Sequence, residues 1–122
     1  MDLASIKPIE KRYNVQHPAT GEETGMILVL ACTHDERVKR AMRAVNDKIL
    51  ESGKDLSESE QQKLDDAFAA CYVVDVEFTG DATWNGKTPQ YSEALAKEIC
   101  AIPALKEQIL FEVRRVKDFY QA

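Results

Sequence analysis

The sequence lacks the features that direct a chain to a membrane, to export or to a nucleic acid. Its apolar runs, such as residues 26–32, are far shorter than the roughly 20 residues that span a bilayer. No charged start is followed by an apolar segment and a small-residue cleavage site, which argues against secretion. Lys and Arg number 16 against 21 Asp and Glu, and the net charge of −5 opposes binding to phosphate backbones. We therefore expect neither a membrane nor a nucleic acid as a partner.

Cysteine is scarce and follows no recognisable pattern. Cys32, Cys71 and Cys100 are odd in number and widely spaced, and no CxxC pair is present. Such thiols are typical of a reducing compartment and not of a disulfide framework. We expect Cys71 and Cys100 to be buried and unbonded, because each lies on a predicted apolar helical face.

Patterns for catalysis and metal binding are also missing. Neither His17 nor His34 lies near a serine or cysteine in a known nucleophile motif. Cys32 and His34 could provide two zinc ligands, but the second pair of a closed site is missing. Residues 81–86 resemble the start of a calcium-binding loop, but its twelfth position is Ser92 and not glutamate, so an Asn-Gly turn is the better interpretation. We expect a non-enzymatic, protein-binding domain without metal or cofactor.

The length and composition of the chain suit one domain. Residues 1–122 are enough for a single core, and 44% are hydrophobic and 30% charged. Residues 1–11 show no periodicity, and we expect them to be loosely ordered. The basic cluster at residues 37–43 lies on a predicted helix with an apolar opposite side, and a solvated face is favoured over a nucleic-acid patch.

Two short apolar runs predict a hairpin near the N-terminus. Residues 13–17 alternate between apolar and polar side chains, as a half-buried strand does. Residues 18–21 (PATG) supply a turn, and residues 26–30 (MILVL) supply a second extended run. Because a lone hairpin is marginal in water, it must pack on something else.

Capping signals predict the helices. Residues 33–36 (THDE) and 57–60 (SESE) match the capping box, in which a hydroxyl accepts from the third amide of the helix. We predict a first helix from Thr33 to about Ser52, stopped by Gly53. Ser92 caps a short helix, and Pro103 suits the first turn of a last helix. Apolar residues recur along the first helix (Val38, Met42, Val45, Ile49) and along the last (Leu105, Ile109, Val113, Val116, Tyr120).

Residues 72–78 are compatible with both helix and strand. Their valines alternate with Asp75 and Glu77, which suits a strand, but the apolar stripe from Leu64 through Phe68 and Cys71 favours a continued helix. With that helix the sequence predicts a mainly α fold, a small α+β domain of about four helices with a short N-terminal antiparallel β-hairpin.

The order of these features resembles a known family. The hairpin at residues 15–30 is followed by a long helix that ends in residues 69–74 (AACYVV), an aromatic loop, residues 89–95 (PQYSEAL) and a closing helix that ends at Phe119. Over residues 13–119 this order is similar to that of the tail assembly chaperones of long-tailed, siphovirus-type phages. Many members carry a tryptophan just after the Val-Val pair, whereas the only tryptophan here is Trp84.

The resemblance implies a role in phage tail morphogenesis. Such chaperones bind the tape-measure protein, whose long apolar helices would otherwise aggregate, and help recruit tail-tube subunits. They act in the host cytoplasm during assembly and are not expected in the mature virion; many are also made in a longer, frameshifted form. Two alternatives remain open: a small acidic phage or prophage protein that regulates a host factor, and a structural component of the particle.

Two sets of apolar residues are candidate interaction surfaces. Trp84 lies in a polar loop, where an indole either folds back onto the core or stays partly exposed as an anchor. For the partner we predict a surface formed by Phe78, Trp84, Tyr91 and Leu95 that receives an apolar helix. Surplus apolar surface predicts a homo-oligomer. The residues that we expect to form its interface are Leu64, Phe68, Val76, Ile109, Val113 and Val116.

Overall fold

A computed structural model describes residues 2–52 and 55–121. Within these ranges the chain forms three β-strands and four α-helices, with short 3-10 turns at Leu3–Ser5 and Val116–Phe119. The elements in chain order are β1 (Lys11–Gln16), β2 (Glu23–Leu30), α1 (Glu36–Ser52), α2 (Glu58–Ala70), β3 (Val73–Phe78), α3 (Glu93–Cys100) and α4 (Pro103–Val113). The strands make one antiparallel sheet in the order β1-β2-β3.

The fold is a small α+β fold with a three-stranded sheet, so the prediction of a mainly α fold with only a hairpin is wrong. The error lies in residues 72–78, where a strand replaces the predicted helix. Helix α2 ends at Ala70, and Val76 of β3 then pairs with Leu28 of β2. β-branched side chains lose rotamer freedom in a helix and pack well on a pleated surface. The third strand also gives the hairpin the additional packing that it needs.

The predicted N-terminal hairpin is confirmed. Lys11 pairs with Leu30 and Tyr13 with Leu28, and the strands are joined across residues 17–22. At the far end of the sheet Gly25 adopts a φ of 92°, and a Cβ there would lie 2.5 Å from the carbonyl oxygen of Thr79. Only glycine fits this close approach between β2 and the residue after β3.

Three of the four predicted helix starts are confirmed. Ser57 accepts a hydrogen bond from the Glu60 amide at 3.2 Å, Ser92 accepts one from the Leu95 amide at 3.0 Å, and Pro103 opens α4. The start at Thr33 is wrong. Instead, the Asp35 side chain accepts from the Arg37 amide at 2.9 Å, and α1 begins at Glu36. Gly53, the predicted stop of α1, lies outside the described residues.

The main core lies between one face of the sheet and helices α2, α3 and α4. Its fully buried side chains include Leu28, Leu30, Ile99, Ile109 and Phe119. On the opposite face of the sheet, Arg12 of β1 reaches across β2 and donates two hydrogen bonds, of 2.7 and 2.5 Å, to the Glu77 carboxylate of β3. The main core therefore lies on the side of the sheet that faces these helices, opposite the Arg12–Glu77 ion pair.

Helix α4 is shorter than the predicted stripe of apolar residues. It ends at Val113, so Val116 and Tyr120 do not continue it. Val116 begins a 3-10 turn that buries Phe119, and the Ile9 amide donates to the Phe119 carbonyl at 2.8 Å. The N-terminal segment is thus hydrogen-bonded to the C-terminal one just before β1.

An ion cluster joins the same two ends of the chain. The Lys11 ammonium donates to the Glu112 carboxylate and, at 2.5 Å, to the Asp118 carboxylate. Burial opposes the charge on Lys11, but the two carboxylates outweigh it and raise the pKa of Lys11. The hydrogen bond from Lys11 lowers the pKa of Asp118. The cluster fixes β1 against α4 and the turn that follows it.

Two further sequence expectations concern cysteines and membranes. Cys32, Cys71 and Cys100 are all buried free thiols, which confirms the prediction for Cys71 and Cys100. Burial raises the pKa of Cys100 to about 12. Among the helices of the described residues, none is both long enough and apolar enough to cross a membrane.

Candidate functional site

Helix α1 is attached to the domain more loosely than the other helices. Over residues 36–51 only Val38 is buried, and the rest of the predicted stripe, including Met42 and Val45, is half-buried. Val38 packs with Ala31 and Cys71 in a small second cluster, separate from the main core. The first part of α1 is therefore held in place, with Met42 and Val45 packed partly against this cluster, while the apolar side further along borders open space.

That open space is a groove between α1 and the pair α2 and α3. It consists of two open hollows of about 700 and 290 Å³, which share Val45, Lys48, Ala67 and Lys97 in their walls. We call it the α1 groove. Its walls are defined by Val45 and Lys48 of α1, Leu64 and Ala67 of α2, and Ala94 and Lys97 of α3.

Small side chains give the α1 groove its room. Seven alanines contribute to its lining, namely Ala41, Ala44, Ala67, Ala70, Ala94, Ala96 and Ala101. Alanine adds an apolar surface without filling space, so larger apolar side chains of a partner can enter between the helices. Val45, Leu56 and Leu64 add longer apolar contacts along the larger hollow. A groove of this kind matches the way an amphipathic helix is received by its partner.

Trp84 stands beside the groove in a tight turn. Asn85 and Gly86 both adopt positive φ, 53° and 76°, and Trp84 and Lys87 exchange backbone hydrogen bonds of 2.7 and 3.1 Å. This is the geometry of an Asn-Gly turn, as predicted. The indole packs against the main core, and its Nε1 donates to the Glu98 carboxylate at 3.2 Å. Of the two positions predicted for this indole, Trp84 thus adopts the one folded back onto the core, although it remains only half-buried.

A third hollow, of about 370 Å³, lies next to this turn. Trp84, Pro89 and Leu95 line it, and it shares Ala94 and Glu98 with the α1 groove. The two depressions are therefore neighbours on the surface of α3. We call this one the Trp84 hollow.

The four residues predicted to bind a partner do not form one surface. Trp84 and Leu95 share the Trp84 hollow, although Leu95 itself is buried. Tyr91 lines the α1 groove and donates from its hydroxyl to the Val73 carbonyl at 3.2 Å. Phe78 packs against the main core and lines none of the three hollows.

The six residues predicted to mediate self-association are also dispersed. Val76 and Ile109 are core residues, and Leu64 lines the α1 groove. Phe68 and Val113 are half-buried, whereas Val116 is 50% exposed. The surface also carries Phe111 of α4, which is 62% exposed and was not in the predicted set. The homo-oligomer stays a prediction, and Val116 and Phe111 are two of the exposed apolar side chains available to its interface.

The contribution of α1 to the site could not be predicted from its apolar pattern. The spacing of its apolar residues indicated an amphipathic helix, but nothing in the pattern shows how far that stripe is covered. For chemistry, the side chains that the structure describes include no group of three or more His, Cys, Asp or Glu residues that could hold a metal ion. Comparison with known protein families, with curated proteins and with solved structures finds no match.

Proposed function

We propose that this chain is a non-enzymatic phage tail assembly chaperone that binds an apolar helix of the tape-measure protein in the α1 groove. The observation that carries the proposal is the open apolar groove between α1 and the α2–α3 pair. The order of sequence features over residues 13–119, which resembles that of the chaperone family, indicates the class of partner.

The physical argument rests on the apolar lining. A tape-measure helix exposes an apolar stripe to water until the tail tube encloses it, and burying that stripe contributes about 25 cal/mol per Å² of apolar surface. The small side chains of the groove leave space for such a stripe, and the loose attachment of α1 allows the groove to adjust to different segments. Binding of this type protects the helix from aggregation and requires no catalysis.

The wider role follows from the same proposal. The chaperone acts in the host cytoplasm while the tail is built, brings tail-tube subunits to the tape measure and leaves before the virion matures. Self-association through exposed side chains such as Phe111 and Val116 would place several grooves along one long helix. Sedimentation over a range of micromolar concentrations tests the self-association, and a monomer at every concentration would contradict it.

The test is coexpression with a tape-measure protein. We expect the two to copurify and the partner to become more soluble. Val45→Glu, in the groove, should abolish copurification, because it places a carboxylate against the apolar stripe of the partner. Leu50→Glu is the matched control, since Leu50 lies on the same helix but is 78% exposed. Loss of copurification in both variants, or in neither, would refute the groove as the binding site.

Salt separates this proposal from the acidic regulator. Apolar docking should hold as ionic strength rises, whereas binding through the net charge of −5 should weaken steeply. Copurification that fails in 0.5 M salt would favour a charge-driven host partner. Recovery of the chain in purified particles would instead favour a structural component.

A further inference from the structure

Three lysines line the larger hollow of the α1 groove. They are Lys48 of α1, Lys63 of α2 and Lys97 of α3. In the part of the chain that the structure describes, none of the three lies within ion-pair distance of a carboxylate. Their ammonium groups depend on water for hydrogen bonds, and an occupant of the groove would displace part of that water.

The carboxylates of the same hollow already have partners within the chain. Asp66 accepts from the Lys106 ammonium at 3.0 Å, and Glu98 accepts from the Trp84 indole at 3.2 Å. Glu60 accepts from the Ser57 hydroxyl at 3.0 Å. The acidic groups of the larger hollow therefore place little demand on an occupant, whereas the lysines require acceptors once they are covered.

We infer that the occupant of the α1 groove is an amphipathic helix with carboxylates on both sides of its apolar stripe. This inference rests on the proposed function and specifies the chemistry of the partner segment. The apolar stripe meets the alanine-rich lining, and the flanking carboxylates meet lysines that come from three different helices. Charge complementarity of this kind selects the register and the partner more than it adds affinity.

The length of α1 sets the length of that segment. The groove follows α1 from Arg37 to Ile49, which is 13 residues or about 18 Å of helix. A partner segment of about three to four turns fills this distance. Its apolar residues would recur at intervals of three and four, with Glu or Asp one position to either side.

Two synthetic helical peptides test the inference. Both are about 14 residues long with the same leucine stripe, and one has Glu and the other Lys at the flanking positions. With fluorescence polarisation at low salt we expect the Glu peptide to bind about 10-fold more tightly, and the ratio to approach one as salt rises. Because the net charge of the chain is −5, general electrostatics favour the Lys peptide, so the expected preference reports the local site.

Charge-reversal variants locate the effect. A triple variant with Lys48→Glu, Lys63→Glu and Lys97→Glu should reverse the preference. The matched control is Lys7→Glu, Lys39→Glu and Lys117→Glu, which changes the net charge equally at exposed positions outside the groove and should keep the preference. If the groove triple does not fold by circular dichroism, the corresponding Lys→Gln triple should abolish the preference instead.

The outcomes distinguish this inference from the proposed function. Equal binding of both peptides that is lost in Val45→Glu would overturn the charge selection and leave the apolar groove in place. Tighter binding of the Lys peptide, an unchanged preference in the groove triple, or binding of neither peptide would also overturn the inference. The copurification of the natural partner then decides separately whether the proposed function stands.

Discussion

The ion cluster between the two ends of the chain permits a quantitative stability prediction. Lys11→Met keeps the aliphatic stem but removes the cation that contacts both Glu112 and Asp118. The Lys11 and Glu112 side chains are only 17% and 12% exposed, so the variant leaves a carboxylate in a poorly hydrated position. Breaking a buried pair costs about 3–5 kcal/mol, and the residual exposure reduces our expectation to about 3 kcal/mol.

The expected shift in melting temperature follows from the size of the chain. An unfolding entropy of about 2.1 cal/mol/K per residue gives about 0.26 kcal/mol/K for 122 residues. A loss of about 3 kcal/mol therefore lowers Tm by about 12 °C. Thermal melting by circular dichroism at pH 7, with urea denaturation for the free energy, measures both quantities.

The pH dependence supplies a second check on the same variant. The pKa of Asp118 is lowered from 3.8 in the folded state, so its contribution to stability is present above that pH and is lost as the pH falls. The pKa of Lys11 is raised above 10.5, so its contribution is present below that pH and is lost as the pH rises. The difference between wild type and Lys11→Met should be largest between about pH 5 and 9 and should narrow outside this window.

Arg12→Met is the matched control, because Arg12 lies on the same strand and also forms a salt bridge. The Arg12 and Glu77 side chains are 59% and 40% exposed, and exposed pairs contribute little to stability. We expect this variant to melt close to the wild type. If Lys11→Met melts no lower than Arg12→Met, or if the difference does not change with pH, the reasoning about the cluster is refuted.

Three other residues give shorter tests. Gly25→Ala should lower the urea midpoint, because an added Cβ would lie 2.5 Å from a backbone oxygen at a φ of 92°; an unchanged midpoint would contradict the close approach of β2 to Thr79. Trp84→Ala should lower the free energy of unfolding by about 2 kcal/mol, because the indole is half-buried against the core. Trp84→Phe should retain most of that stability, since it keeps an aromatic ring at the same position. Unchanged melting together with lost partner binding would instead identify Trp84 as an anchor. Cys100 should react with a thiol reagent at pH 8 on the order of 1,000-fold more slowly in the folded than in the unfolded protein, because burial raises its pKa from 9.0 to about 12; rapid native labelling would show that this thiol is accessible.

Elements that depend on neighbouring residues could be predicted from the sequence. Ser57 and Ser92 cap helices, Pro103 opens one, and Asn85-Gly86 makes a tight turn. Each of these features is satisfied by hydrogen bonds or dihedral preferences within about four residues. The same holds for the hairpin, whose two strands are joined by a short connection.

The third strand and the candidate site could not be predicted in this way. Residues 72–78 are compatible with the periodicity of a helix and with that of a strand. They form a strand because they pair with β2, in which Leu28 and Met26 lie opposite Val76 and Phe78, about 50 residues away in the sequence. The sequence placed Leu64 and Trp84 among the candidate interface residues, but it did not show that they line separate depressions. Which apolar side chains remain uncovered depends on how the helices pack on the sheet.

The sequence by itself determined the amphipathic character of α1, and only the tertiary structure decided what that character is used for. The stripe through Val38 and Val45 is compatible with complete burial. In the folded chain α2, α3 and α4 already cover the apolar face of the sheet, so α1 packs through Val38, with the half-buried Met42 and Val45, against the small cluster of Ala31 and Cys71. Because apolar surface on α1 then exceeds what the core can cover, an open groove remains beside it.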